Sequence, residues 1–285
     1  MNLLVFGCGY SASHFLARHA QPFAHIAATT RGSRPDSGGL VQRLVFDGRS
    51  AEPAVLAALA DADALLVSVP PDETGDPVLA HFGAALRVSP KLSRIVYLST
   101  IGVYGDHGGA WIDEATPASP QSARSITRLQ AERDWQALGE ASGKAVHILR
   151  LAGIYGPGQN ALVNLRNGTA RRIVKPGQVF NRIHVEDIAR AIAACFARKA
   201  GGVWNVTDNE PAPPQDVVAY AAQLLGMVPP PELDFATTGL SPMARSFYSE
   251  NKRVANRRLV ETLGVTLAFP TYREGMQALA QEMNT

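Results

Sequence analysis

Only two cysteines, Cys8 and Cys195, occur in the 285 residues. They lie far apart and in no metal-ligand spacing, which argues against a disulfide framework and predicts a reduced, cytoplasmic protein. The seven histidines form no H-x-x-x-H pair, so no metal is expected. Charge of one sign is scarce as well. Lys and Arg number 27 against 25 Asp and Glu, a formal +2, too small to imply a nucleic-acid or anionic-membrane partner. No apolar run approaches the roughly 20 residues of a membrane span. The opening "MNLLVFGCG" reaches Gly7 too soon for the apolar core of a signal peptide. These absences predict a soluble chain with a small-molecule partner. Hydrophobic residues at 46% and charged residues at 18% give the balance of a globular protein rather than a disordered one.

What is present is an alternation. In the first 150 residues, "NLLVF", "HIAATT", "QRLVF", "DALLVSV", "SRIVYLS" and "AVHILRL" read as buried strands. Near-continuous aliphatic runs of this kind suit a parallel sheet covered on both faces. Between them "SASHFLARHA", "AEPAVLAALADA", "DPVLAHFGAAL" and "ITRLQAERDWQALGEAS" carry helical periodicity, and Asp76-Pro77 has the pattern of a helix start. The prediction is an α/β doubly wound parallel sheet of the Rossmann kind over residues 1–155. Residues 156–285 are expected to form a smaller substrate lobe that returns some segments to the first. There "YGPGQNALVNLRNG" and "EPAPP" read as loop-rich, three helices are clear, and "GVWNVTD" looks like one more strand.

"VFGCGYSA" directly follows the first strand and opens a helix. Gly7, Gly9 and Ala12 stand in the G-x-G-x-x-G/A spacing: one glycine for the tight turn, one for close approach to a pyrophosphate, and Ala12 for helix packing. Tyr10 and Ser11 complete the candidate loop. A glycine turn with no ligand is the competing reading. An NAD site usually carries an acid at the end of the second strand, to hold the ribose 2′-hydroxyl. This chain has "ATTRGSR" instead, so Thr30, Arg31, Ser33 and Arg34 suit a 2′-phosphate and favour NADP over NAD. Asp47 in "VFDGR" can accept from the adenine amino group or serve as a turn residue.

"YLSTIGVYG", "LRLAGIYGPGQ" and "RIHVEDIARAI", in this order, together with the closing "SENKRVANRRLVETLGVTLAFPTYREGMQAL", resemble the extended short-chain dehydrogenase/reductases, the NAD-dependent epimerase/dehydratase family. The resemblance covers nearly the whole chain. It implies a Rossmann domain with a small substrate lobe, acting on nucleotide-sugars or related carbonyl and alcohol compounds. It also implies a hydroxyl at the end of the fifth strand and a Tyr-x-x-x-Lys on the next helix. In that pair the tyrosine transfers a proton, and the lysine lowers its pKa and holds the nicotinamide ribose. Thr100 matches the hydroxyl. Counting back from Glu132, the tyrosine position holds Arg124 and the lysine position Arg128, and no other Tyr-x-x-x-Lys occurs between residues 100 and 150. An arginine is a poor general acid because it keeps its proton. The chain therefore looks like an atypical member with its proton donor missing.

Other candidates are weighed against plainer roles. Tyr104 and Tyr155, in glycine-rich loops at the sheet's carboxyl edge, can donate a proton to a ligand or serve as structural turns. His184 can cap a helix or act as a base. Cys8 can be an activated thiol or a packed one. Arg166 and Asn181 are candidates for substrate contacts. The basic pairs Arg171-Arg172, Lys252-Arg253 and Arg257-Arg258 can hold phosphates or be solvated helix faces. Two functions follow: an NADP(H)-dependent oxidoreductase or epimerase-like enzyme with a non-standard proton donor, or a non-catalytic NADP(H)-binding sensor.

Overall fold

The aliphatic runs of the first half become strands because runs with no polar face are stable only inside a sheet covered on both sides. The structure, a computed structural model, describes residues 1–32 and 40–283. Its first part runs β1 (Asn2–Phe6), α1 (Tyr10–His19), β2 (His25–Thr30), β3 (Val41–Val45), α2 (Pro53–Asp61), β4 (Ala64–Val67), α3 (Pro77–Val88), β5 (Arg94–Thr100), β6 (Trp111–Ile112), α4 (Ala123–Ser142) and β7 (Ala145–Leu151). The second runs β8 (Gly153–Tyr155), α5 (Ala161–Arg166), β9 (Arg172–Val174), β10 (Arg182–His184), α6 (Val185–Ala197), β11 (Gly202–Val206), α7 (Pro214–Leu224), β12 (Glu232–Asp234), α8 (Pro242–Phe247), β13 (Arg253–Val254) and α9 (Tyr272–Glu282).

Seven parallel strands lie in the order β11-β7-β5-β4-β1-β2-β3. The order reverses between β1 and β4, and at such a switch point the crossovers diverge and leave a crevice at the strands' carboxyl ends. Two apolar layers close the sheet. One packs Val5, Ala28, Leu66 and Leu149 against Phe15 of α1 and Ile188 of α6. The other packs Leu4, Leu65, Ile95 and Ile148 against Phe82 of α3 and Trp135 of α4. Asp76 caps α3 by accepting from the amides of Val78 and Leu79, and its second oxygen accepts from Trp135 Nε1 at 2.9 Å. The helix read from Ile126 starts one turn earlier, because Ser122 accepts from the Ser125 amide as N-cap. This puts Arg124 and Arg128 inside α4.

The second part contains more order than its loop-rich composition suggests. The segment over 155–168 holds α5, started by Asn160 accepting from the Val163 amide. Leu162, Val217 and Met276, from α5, α7 and α9, form a separate apolar core. Four short strands pair in twos, β8 with β10 and β9 with β12. With only three residues each, they give no periodicity to read. A third short pair joins β6 to β13. Among the described residues no helix is long and apolar enough to cross a membrane.

The rotation of α4 on the sheet is fixed by one buried ion pair. Glu132 takes Arg150 of β7 through Nη2 at 2.7 Å and Nε at 3.1 Å, and also accepts from Ser99 Oγ of β5. Only 1% of the Glu132 side chain is exposed. Removing one partner strands a buried charge, which costs about 3–5 kcal/mol. Glu132→Ala should therefore lower the unfolding free energy by about that amount in urea titrations. A loss below about 1 kcal/mol, the level of an exposed pair, would show that the site is solvated.

Candidate functional site

The glycine loop sits at the switch point. Gly7 has φ +87, and a Cβ there would lie 2.9 Å from Val69 Cγ2 of the segment after β4, so only glycine makes this turn. The Gly7 amide donates to Thr29 Oγ1 at 3.0 Å and the Cys8 amide to Thr29 O at 2.9 Å. At Gly9 a Cβ would point into open space with nothing within 4 Å, beside the first amides of α1. That is the cradle a pyrophosphate needs: an uncovered backbone edge at a helix N-terminus. Ser11 and Ala12 are buried and pack the helix onto the sheet. Tyr10 points elsewhere: its Oη donates to Pro157 O at 2.9 Å, strapping α1 to the second half of the chain.

At the end of β2, Thr30 Oγ1 donates to Gly32 O at 2.8 Å and Arg31 is exposed. Ser33 and Arg34 lie outside the described residues. A cation that sequence reasoning missed stands beside this edge. Arg43 of β3 donates from Nη1 to Cys8 Sγ at 2.9 Å. Nothing local in "VQRLV" marks it, because its neighbour comes from a strand pairing. Asp47 takes the turn role: Oδ1 accepts from the Arg49 and Ser50 amides, both at 2.7 Å, and Oδ2 from Ser50 Oγ. The Ser50 amide leads in holding its carboxyl below the usual range. Both oxygens thus take part in the turn, and the side chain is exposed.

Thr100 ends β5, and Arg124 and Arg128 lie in the first two turns of α4. Thr100 Oγ1 accepts from the Gly102 amide at 3.1 Å. A Cβ on Gly102 would lie 2.9 Å from Ser125 Oγ and 3.4 Å from Thr100 Oγ1, so this turn is wedged between strand and helix. Arg128 donates from Nη1 to Leu98 O at 2.8 Å and to Tyr97 Oη at 3.2 Å. Arg124 is exposed, with its guanidinium 5.4 Å from the ring centre of Phe247 on α8. It makes no ion pair among the described residues. The two cations thus lie one helical turn apart on α4, the outer one against α8.

The other candidates lie elsewhere. Tyr104 is fully buried, donates to Asn205 Oδ1 at 2.8 Å, and has the Arg150 guanidinium 4.7 Å over its ring. Tyr155 is buried in the second core, edge-on to His184, where a Cβ on Gly275 would overlap its hydroxyl at 2.1 Å. Burial pushes both phenols above their ordinary pKa. Asn181 spends its amide on the C-terminal segment, donating to Lys252 O at 2.9 Å and accepting from the Val254 amide at 2.8 Å. Arg166 donates to Met283 O. Tyr155 and Asn181 are thus enclosed by the fold, whereas Arg166 is exposed. Sequence reading lacked the pairing of β13 with β6 that places Asn181 in a clasp. Lys252 is likewise buried, donating to Gly105 O at 2.6 Å. Cys8 is a buried free thiol. A small cavity of ≈ 70 Å³ beside His14, His184 and Phe269 includes neither the glycine loop nor the arginine pair.

This arrangement has relatives. A model of the "NAD dependent epimerase/dehydratase family" matches residues 79–207. Protein YeeZ of Escherichia coli (strain K12) is 30% identical over 246 residues, which span 75% of this chain and 74% of YeeZ. The chain belongs to the NAD-dependent epimerase/dehydratase family. A solved structure of a functionally unknown conserved protein from Silicibacter pomeroyi DSS is 46% identical with a TM-score of 0.87, and the match covers 100% of this chain and 99% of that one. A 3-diazoavenalumate denitrifying reductase from Streptomyces sp. is 28% identical over 213 residues, covering 69% of this chain and 68% of the reductase.

His184 caps α6: its Nδ1 accepts from the Glu186 amide at 3.1 Å, and Nε2 is buried without a partner. Burial lowers its pKa from 6.5 to about 4. A histidine kept neutral by folding contributes stability above its unfolded pKa, and this is lost as pH falls through the folded value. His184→Asn keeps a capping acceptor without the titration. Its urea midpoint should therefore fall less between about pH 7 and about pH 4.5 than that of the unmodified protein. Parallel pH profiles would refute a buried neutral imidazole.

Proposed function

We propose that the protein is an NADP(H)-dependent oxidoreductase in which Arg124 replaces the family's proton-donating tyrosine. The observation that supports this reading is that Arg124 is exposed on α4 one turn before Arg128, while the phenols of Tyr104 and Tyr155 are buried. The uncovered edge at Gly9 and the first turn of α1 fit a dinucleotide pyrophosphate. The name of the Streptomyces relative supports a reductive direction. The substrate is a carbonyl or alcohol compound, nucleotide-linked or related, and the setting is the cytoplasm.

When bound, the reduced nicotinamide supplies a hydride. The rest falls to this chain. Arg128 donates to the nicotinamide ribose hydroxyls through its planar fork. Thr100 hydrogen-bonds the acceptor oxygen. Arg124 cannot release a proton, but its guanidinium stabilises the negative charge that develops on that oxygen, and the proton comes from water. This favours acceptors that leave a stable anion. A phenolate or enolate-like oxygen near pKa 10 lies roughly 6 units below an alkoxide near water's 15.7, about 8 kcal/mol.

Three outcomes follow. NADPH should bind at least about tenfold more tightly than NADH, since a charge-assisted contact contributes roughly 1.5–3 kcal/mol; equal affinities in calorimetric titration would refute the NADP reading. Arg128→Ala should weaken NADPH binding, whereas Arg124→Ala should leave it nearly unchanged and slow turnover. Conjugated carbonyl acceptors should outpace isolated ketones in NADPH oxidation followed by absorbance. Tight NADPH binding with no acceptor reduced would favour the cofactor-sensing reading instead.

A further inference from the structure

Arg43 has an odd partner. It is half-buried on β3, the edge strand of the sheet, and its register partner is Ala28 of β2, which in turn pairs with Val5. Laterally paired residues face the same way, so Arg43 stands on the α1 face of the sheet. From there its guanidinium reaches the elbow of the glycine loop, donating to Cys8 Sγ at 2.9 Å. A thiol is a weak acceptor, while a guanidinium has five donors in a rigid fork. No carboxylate pairs with Arg43 among the described residues. A half-buried cation held beside a dinucleotide cradle by so weak a partner fits an anion better than it fits the thiol.

The place specifies which anion. In this fold the adenosine ribose lies between the first glycine turn and the end of the second strand, where an acidic side chain would select a free 2′-hydroxyl. Here that strand ends in Thr29 and Thr30, whose hydroxyls are occupied by the Gly7 amide and Gly32 O, and it is followed by exposed Arg31. Arg43 approaches the same edge from the neighbouring strand. We propose that Arg43 and Arg31 together form the seat of a ribose 2′-phosphate, with Arg43 the residue that decides NADP over NAD. Its planar fork accommodates two phosphate oxygens at once, which a lysine cannot do. The proposal rests on the cofactor reading above.

The test is binding of four probes by calorimetry: NADP, NAD, adenosine 2′,5′-bisphosphate and adenosine 5′-monophosphate. The unmodified protein should prefer each 2′-phosphorylated probe to its counterpart by about tenfold or more. Arg43→Gln should lose most of that preference while binding NAD as before. Arg43→Lys, which keeps the stem and the charge, should retain part of it and serves if the glutamine variant does not fold. Thermal unfolding gives a second readout: NADP should raise the midpoint of the unmodified protein well above that of Arg43→Gln at the same concentration. If both Arg43 variants keep the full preference, the proposal is overturned and Arg31 or another group carries the selection. If neither NADP nor NAD binds the unmodified protein, the cofactor reading itself fails, and the seat with it.

Discussion

The buried pairing of Glu132 with Arg150 is the constraint on which the site depends. Two charges removed from water are tolerable only when their hydrogen-bonding capacity is filled. Here the guanidinium meets both carboxylate oxygens, Ser99 supplies a further donor, and the face of Tyr104 covers Arg150. The pair pins one stripe of α4 against β5 and β7. Residues 124, 128 and 132 recur every four positions and share that stripe. Moving outward along it, the glutamate is buried, Arg128 is half-buried against Leu98 O, and Arg124 is exposed. A different rotation of the helix would change the setting of both arginines.

The same polar line continues into the second half of the chain. Tyr104 donates to Asn205, and Asn205 donates from Nδ2 to Ala255 O at 3.2 Å. Around that point the segment from Asn251 to Asn256 is stitched to three others. The Asn251 amide donates to Asp106, its side chain holds the Val179 amide and Gly177 O, Asn181 clasps Lys252 O and the Val254 amide, and Asn256 donates to Thr207 O. Asparagine suits this work because one side chain both donates and accepts, so it can mimic a strand edge where no regular pairing continues. The closing motif of the chain is thus a brace. It fixes the turn after β5 through Gly105 O and Asp106.

The resulting crevice is rich in guanidinium and poor in groups that release a proton. Arg43 stands beside the glycine loop and Arg31 follows β2, while Arg128 and Arg124 lie on α4. Guanidinium groups only donate, so such residues favour negative charge beside them.

The fold was legible because its signals are local. Runs such as "NLLVF" and "DALLVSV" have no polar face to expose, and Gly7-x-Gly9-x-x-Ala12 encodes a turn whose geometry few residues other than glycine adopt. The arginines at 124 and 128 were legible through spacing, since four residues along a helix fix a shared face wherever the helix sits. What the sequence could not determine is which neighbour each polar side chain meets across strands and segments. Tyr155 and Asn181 have the composition of site residues, yet one is closed off by Gly275 of α9 and the other by the strand pairing of β13. Arg43 has the composition of an exposed edge residue, yet the register of β3 on β2 aims it at Cys8, 35 positions away. Backbone shape is encoded over a few residues, but the partner of a side chain depends on loop closures tens to more than a hundred residues long, and only the folded chain makes that choice.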